Sequence, residues 1–237
     1  FLRCDPLISR FHAGSEALIG DLLEMHVYGA MDNQAGGEDL IANALPLFDL
    51  VRWFGGEPEF ASATVSEEGY PAIPDDAHEL ESRNLGRLLG DSIHAQFLLE
   101  SGVRVTFTSD AQMQNIAGRA GIRFIGTEAT MRLYTDPETE FSLQVESSPN
   151  RAERSDPWTS WPAGNGKESA EMETAPNRDI VLDWISAIEE KRDPLCSAEN
   201  ATKALEMAHA IWQSAITLKR AYFPLSNRLH PLANESR

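Results

Sequence analysis

Residues 92–110 read SIHAQFLLESGVRVTFTSD, and no other run limits the possible folds as strongly. Apolar side chains stand at every second position: Ile93, Ala95, Phe97 and Leu99, then Val103, Val105 and Phe107 beyond a Ser101-Gly102 turn. Successive side chains of a strand point to opposite faces, so this alternation predicts a hairpin with one buried face. PEFASATV before it, and GIRFIGTEATMRLY and EFSLQVES after it, add further strands, joined at Gly126-Thr127 and Asp136-Pro137. Upstream, DLLEMHVYGAM predicts a strand with Leu23, Met25 and Val27 on one face. Together these runs suit one large open, mainly antiparallel sheet with helices on one face. A one-sided sheet leaves an apolar face or edge to be covered, which predicts self-association through the sheet.

Helical patterns bracket the strands. Residues 6–20 form a short helix stopped by Gly20. After Gly36-Gly37 comes EDLIANALPLFDLVRWFGG, helical but with Pro46 inside it, where a backbone donor is lost and the helix should kink or restart. Asn177 is the expected cap of RDIVLDWISAIEEKR, and Ser197 with Asn200 opens a last long helix. Its stripe is Ala201, Ala204, Leu205, Ala208, Ile211, Trp212, Ala215 and Ile216. Residues 66–91 and 147–176 read as loops, the second holding Trp158 and Trp161, which should pack on something. The order of elements is that of an α+β fold in one domain spanning 1–237.

Charge narrows the partners. With 37 acidic and 20 basic residues the formal net charge is −17, a surface that repels phosphate backbones and anionic membranes. No run of eighteen apolar residues predicts a transmembrane helix, so neither nucleic acid nor a membrane is expected. The opening FLRCDPLISRF has no basic stretch followed by an apolar run, and it starts at Phe1, as a truncated chain would. Cys4 and Cys196 form no metal-type cluster; one disulfide or two thiols are both open, two thiols in a reducing, cytoplasmic setting being the simpler.

Several segments, in this order, resemble the C-terminal half of Gfo/Idh/MocA oxidoreductases. FLRCDP is similar to the Arg-x-x-Pro segment that follows the family's Rossmann domain, which makes residues 1–5 a remnant of that junction. SEALIGDLLEMHVYG resembles the next helix end and first strand, and GGEDLIANALPLFDLVRWFGGEP the double glycine, helix and Asp-Leu-x-Arg-x-x-x-Gly ending. GIRFIGTEATMRLY resembles the strand, Gly-Thr turn, strand signature, and CSAENATKALEMAHAIWQSAITLKRAYFPL the final helix and its exit. The resemblance implies a dihydrodipicolinate-reductase-like domain that binds substrate and supports a homo-oligomer. It also implies hydride transfer between NAD or NADP and a sugar, inositol or related polyol. The cofactor would be held mainly by a preceding domain, since no Gly-x-Gly-x-x-Gly follows a strand here and no Glu-Lys-Pro carries a catalytic lysine.

One departure stands out. The family often places an Asp, and a His four residues later, on the helix after the double glycine; those positions fall here on Ala42 and Pro46. Neither can move a proton, and no catalytic residue is expected within the chain. Arg3, Asn43 and Asp49 remain as substrate-binding candidates. A second reading therefore stands beside the first, a catalytically inactive member kept as a binding or scaffold protein. The other conspicuous residues have plainer roles. Glu206 and His209 make a single Glu-x-x-His, short of a di-iron set. His26 and His94 read as sheet residues. Asn200-Ala-Thr and Asn234-Glu-Ser fit a glycosylation triplet that chance often produces.

Overall fold

A computed structural model describes residues 2–29, 34–80, 84–113, 120–134, 142–146, 158–161 and 176–233. The helices are α1 (Pro6–Ile19), α2 (Gly37–Ala42), α3 (Ala44–Gly55), α4 (Pro176–Glu190) and α5 (Ala198–Thr217). The strands are β1 (Leu22–Tyr28), β2 (Pro58–Glu67), β3 (Tyr70–Pro71), β4 (His78–Glu79), β5 (Arg87–Leu88), β6 (Ser92–Leu99), β7 (Arg104–Asp110), β8 (Gly121–Gly126), β9 (Thr130–Tyr134), β10 (Ser142–Glu146), β11 (Trp158–Trp161) and β12 (Ala221–Tyr222). A ten-stranded sheet runs β11-β10-β9-β8-β1-β7-β6-β2-β12, with β3 also on β2, while β4 and β5 pair alone. Every pairing is antiparallel except β1 with β7 at the centre, in parallel register Met25↔Val105 and Val27↔Phe107. This is the mixed, mostly antiparallel sheet of an α+β fold.

The two faces differ in kind. Ile93, Ala95, Phe97 and Leu99 are buried on β6, as are Val105 and Phe107 on β7, so the alternation is realised. Helices supply the other wall. Phe48 of α3 packs edge-on to Phe97 and Phe107, with ring centroids 5.8 and 5.2 Å apart. Phe11 of α1 meets Phe124 of β8 at 5.1 Å. On the β2 side, Ser214 of α5 accepts a hydrogen bond from the Ala63 N–H at 3.1 Å, and the Trp212 indole donates to the Leu89 carbonyl at 3.0 Å. The apolar face is thus covered by the chain's own helices. The opposite face carries polar rows, such as Ser62, Gln96, Thr106 and His26 across β2, β6, β7 and β1. An uncovered apolar face is not what this sheet offers a second copy.

Several local expectations change. Leu23 is 45% exposed because the β1–β8 register slips between Leu22 and Glu24, leaving Met25 and Val27 alone on the inner face. Within 147–176, residues Trp158–Trp161 form a strand on β10 rather than part of a loop. Residues 147–157 and 162–175, the Trp158 side chain, the Asp136-Pro137 join and the Asn234 triplet lie outside the described residues. The described part of residues 66–91 holds the end of β2 and the short strands β3, β4 and β5 besides turns. Helix α4 begins at Pro176, one residue ahead of the expected Asn177 cap, in keeping with the fit of proline to a first helical turn. The buried side of α5 is set by Ala204, Met207, Ala208, Ile211 and Trp212, while Ala201 is exposed.

Candidate functional site

The segment that carries the candidates begins with Gly36 and Gly37, which lie against the backbone of Leu89–Asp91. Gly36 has φ +78°, and a Cβ there would run into the Gly90 carbonyl. This close approach seats α2 on the sheet. The helix does not continue smoothly: α2 ends at Ala42, Asn43 has φ −123°, and α3 starts at Ala44. Pro46 cannot donate to the Ala42 carbonyl, which accounts for the break. In one continuous helix positions 42, 46 and 49 would share a face, but residue 42 belongs to a different helix from 46 and 49.

Arg3 and Asp49 are brought together. The Arg3 guanidinium donates from Nε to Asp49 Oδ2 at 2.7 Å and from Nη2 to Oδ1 at 2.5 Å and to the Asp49 carbonyl at 3.0 Å. Both side chains are nearly buried, 9% and 13% exposed, so each largely neutralises the other. Asn43 stands apart, exposed at the break, with its amide donating to Asp39 Oδ1 at 3.1 Å. Ala42 and Pro46 are half-buried and add no ionisable group.

Residues that the sequence reading passed over complete the surroundings. Arg52, 3% exposed at its side chain, lies 3.5 Å from Asp49 and forms a two-bond fork with Glu57 at 2.9 and 2.7 Å. It also donates to the Asn200 carbonyl at 3.1 Å, tying α3 to the first turn of α5. Glu57 is held below the usual carboxylate range, first by the Arg52 hydrogen bonds. His12 of α1 stacks on Trp53 at 3.8 Å and 7° between planes, and its Nε2 lies 3.1 Å from the Trp53 carbonyl. Burial lowers its pKa, so the imidazole is neutral at pH 7. Arg3 lies 5.6 Å from the same indole. An opposite-charge pair at i,i+3 in an otherwise apolar helix, Asp49 and Arg52, was the available signal for this network.

The plainer readings of other residues have particular partners. Glu206 accepts the Leu225 N–H at 2.6 Å, and His209 faces His230 at 5.0 Å. Trp161 packs edge-on to Phe11 at 6.1 Å beneath the Arg10 guanidinium. Among the described residues no three His, Cys, Asp or Glu converge as a metal would need, and no helix is long and apolar enough to cross a membrane.

Residues 26–221, well over half of the chain, match the sequence model of the oxidoreductase family's C-terminal alpha/beta domain. The chain belongs to the Gfo/Idh/MocA family. Solved structures share the fold of this Gfo/Idh/MocA domain at low identity. A levoglucosan dehydrogenase in complex with NADH and levoglucosan is 16% identical, with a TM-score of 0.60 over 92% of this chain and 63% of its own. The WlbA dehydrogenase from Bordetella pertussis, in complex with NADH and UDP-GlcNAcA, is 14% identical, with a TM-score of 0.59 over 94% and 61%. An aldose-aldose oxidoreductase from Caulobacter crescentus, complexed with glycerol, is 16% identical, with a TM-score of 0.56 over 92% and 59%. The chain therefore spans less than two thirds of the length of these structures. No curated protein sequence matches it.

Proposed function

We propose that this chain is the substrate-binding and association half of an NAD(P)-dependent oxidoreductase acting on a sugar, inositol or related polyol in the cytoplasm. The observation that carries the reading is family membership across residues 26–221, joined to solved relatives described with NADH and with sugars. The chain's residues do not themselves fit a dinucleotide: no glycine loop links a strand to a helix in the required pattern. The cofactor, NAD or NADP, is assigned to a nucleotide-binding domain outside these residues.

Within the chain, Asn43 is the proposed direct contact with a substrate hydroxyl, because its amide is exposed at the helix break. Arg3 and Asp49 take part as a pair that holds the start of the chain against α3 beneath it. Association of copies is assigned to the open sheet face, whose polar rows suit hydrogen bonding across a wet interface. A second reading, an inactive binding or scaffold protein, is favoured by Ala42 and Pro46, which bring no proton-transfer group.

NAD(P)H production by the full-length protein across a polyol panel separates the two. The enzyme reading expects turnover that falls with Asn43→Ala while the fold, followed by circular dichroism, is unchanged. It also expects Ala42→Asp with Pro46→His to recover part of the ~10²- to 10⁴-fold that one proton-transfer group supplies. Polyol binding with no turnover, before and after that double change, would establish the scaffold reading instead. Dinucleotide binding by residues 1–237 alone, seen by calorimetry, would overturn the assignment of the cofactor to another domain.

A further inference from the structure

The only two cysteines of the chain, 192 positions apart, face each other: Cys4 Sγ and Cys196 Sγ are 3.6 Å apart. A fully buried residue touches roughly 6–12 others, so even two such residues placed at random among 237 meet in no more than roughly one case in twenty. Both thiols are free and half-buried. The segments that bear them are held from several sides. On one, Arg3 is clamped to Asp49, and the Asp5 carboxylate caps α1 by accepting the Leu7 and Ile8 N–H groups at 2.9 and 3.0 Å. On the other, Leu195 N–H donates to Asp183 at 2.7 Å, and Arg192 pairs with Asp183 at 2.8 Å. Ser197 caps α5 through the Asn200 N–H at 3.1 Å. With both segments anchored, the sulfurs have to close from 3.6 Å to a disulfide length of about 2.05 Å.

We infer that Cys4 and Cys196 are a reversible disulfide site that staples the chain's opening turn to the entry of α5. The oxidant is a low-molecular-weight disulfide such as glutathione disulfide. The Cys196 thiolate attacks one of its sulfurs, forming a mixed disulfide and releasing one glutathione thiolate. The Cys4 thiolate then attacks the Cys196 sulfur, closing the protein bond and releasing the second glutathione thiolate. Two electrons pass from the protein to the small disulfide, and two protons leave the cysteines, so the exchange balances. Burial first, and then Cys196 alongside, push the Cys4 thiol up to about 12. In the mixed disulfide the Cys196 contribution is gone but burial still disfavours the Cys4 thiolate, so closure speeds up as pH rises. In a reducing compartment the pair rests as two thiols and closes only when the thiol pool shifts.

The test is incubation of the 237-residue chain in glutathione buffers of graded oxidised fraction, followed by acid quench. Intact mass, thiol labelling and a non-reducing peptide map are then read. The expected result is loss of two hydrogens, no labelled thiol and one linked peptide joining residues 4 and 196 within a chain. Closing so long a loop should raise Tm by roughly 4–16 °C over the reduced form. Cys196→Ser should abolish that difference while leaving the reduced Tm near wild type. If this variant does not fold, the wild-type mass and Tm comparison stands alone. Two labelled thiols after full equilibration, or a link formed only between chains, would overturn the inference.

Discussion

The two faces of the central sheet come from the same strands and obey opposite rules. On the covered face Met25, Val27, Phe97, Val105, Phe107 and Phe124 are each at most 2% exposed against α1, α3 and α5. On the open face Ser62, Thr64, His94, Gln96, Thr106 and Thr108 line a shallow depression of about 260 Å³. Stability is concentrated in the first layer, and what the second contributes is a surface. A residue's weight in this molecule should follow its face rather than its chemical size or its distance along the sequence.

Phe48→Ala strikes the covered face where one ring meets two others and should cost most, about 3–5 kcal/mol, or a fall in Tm of roughly 6–20 °C. Thermal unfolding followed by circular dichroism measures it, and a loss below about 1 kcal/mol would contradict the layer as described. Arg52→Met tests the polar stitching of that layer. It keeps the apolar stem but takes the two-bond fork from Glu57, which keeps Lys203 at 3.2 Å, and the Arg52 donor from the Asn200 carbonyl. Removing one partner of a fully buried pair costs ~3–5 kcal/mol; Glu57 reaches water, so about 2–3 kcal/mol is expected here.

A smaller, pH-dependent effect comes from His209, whose pKa burial lowers to about 4, with His230 lowered as well. The unfolded chain takes up these protons first, from an ordinary value near 6.5. The stability that neutral His209 represents is therefore whole above that value and lost as pH falls toward 4. Denaturation midpoints should drop through this window in wild type, and the slope should be shallower in His209→Gln. The smallest change belongs to the open face. Gln96→Glu should move stability by no more than about 0.5 kcal/mol. By placing like charges opposite each other, it should weaken self-association seen by light scattering, if copies meet there. A Tm loss rivalling that of Phe48→Ala would erase the distinction between the faces.

How much of this could be read from the residues depended on the range of the interaction. Alternation in β6 and β7 is local, and it placed Ile93 through Phe107 correctly. The stop at Gly20 was equally legible, since it is a backbone requirement of a few residues, whereas the seating of Gly36 and Gly37 on Leu89–Asp91 joins segments over fifty positions apart and had no local signal. Leu23 misled because a register slip against β8 is a property of two strands. Trp158–Trp161 hid in a polar stretch because pairing, rather than its own pattern, makes it a strand. In the candidate site Arg3 and Asp49 were each singled out, yet their mutual clamp spans 46 positions and has no sequence signature. Arg52, at the centre of the ion-pair network, looked like an ordinary member of a helix ending.

The parallel seam has a bearing on how the sheet is made. Met25 and Val27 of β1 lie beside Val105 and Phe107 on one side and beside Phe124 and Ile122 on the other. Both neighbours come from eighty or more positions downstream, whereas β6–β7 and β8–β9 close across short turns. At ~5–20 residues per second of synthesis, β1 waits about 4–20 s for its partners to emerge. Throughout that interval it is a bare, half-apolar edge, and its pairings close loops of eighty or more positions, exceeded in the sheet only by the two-residue β12 seam on β2. Refolding should therefore be limited by the docking of β1, and the traps most open to the chain are those in which another strand reaches that edge first.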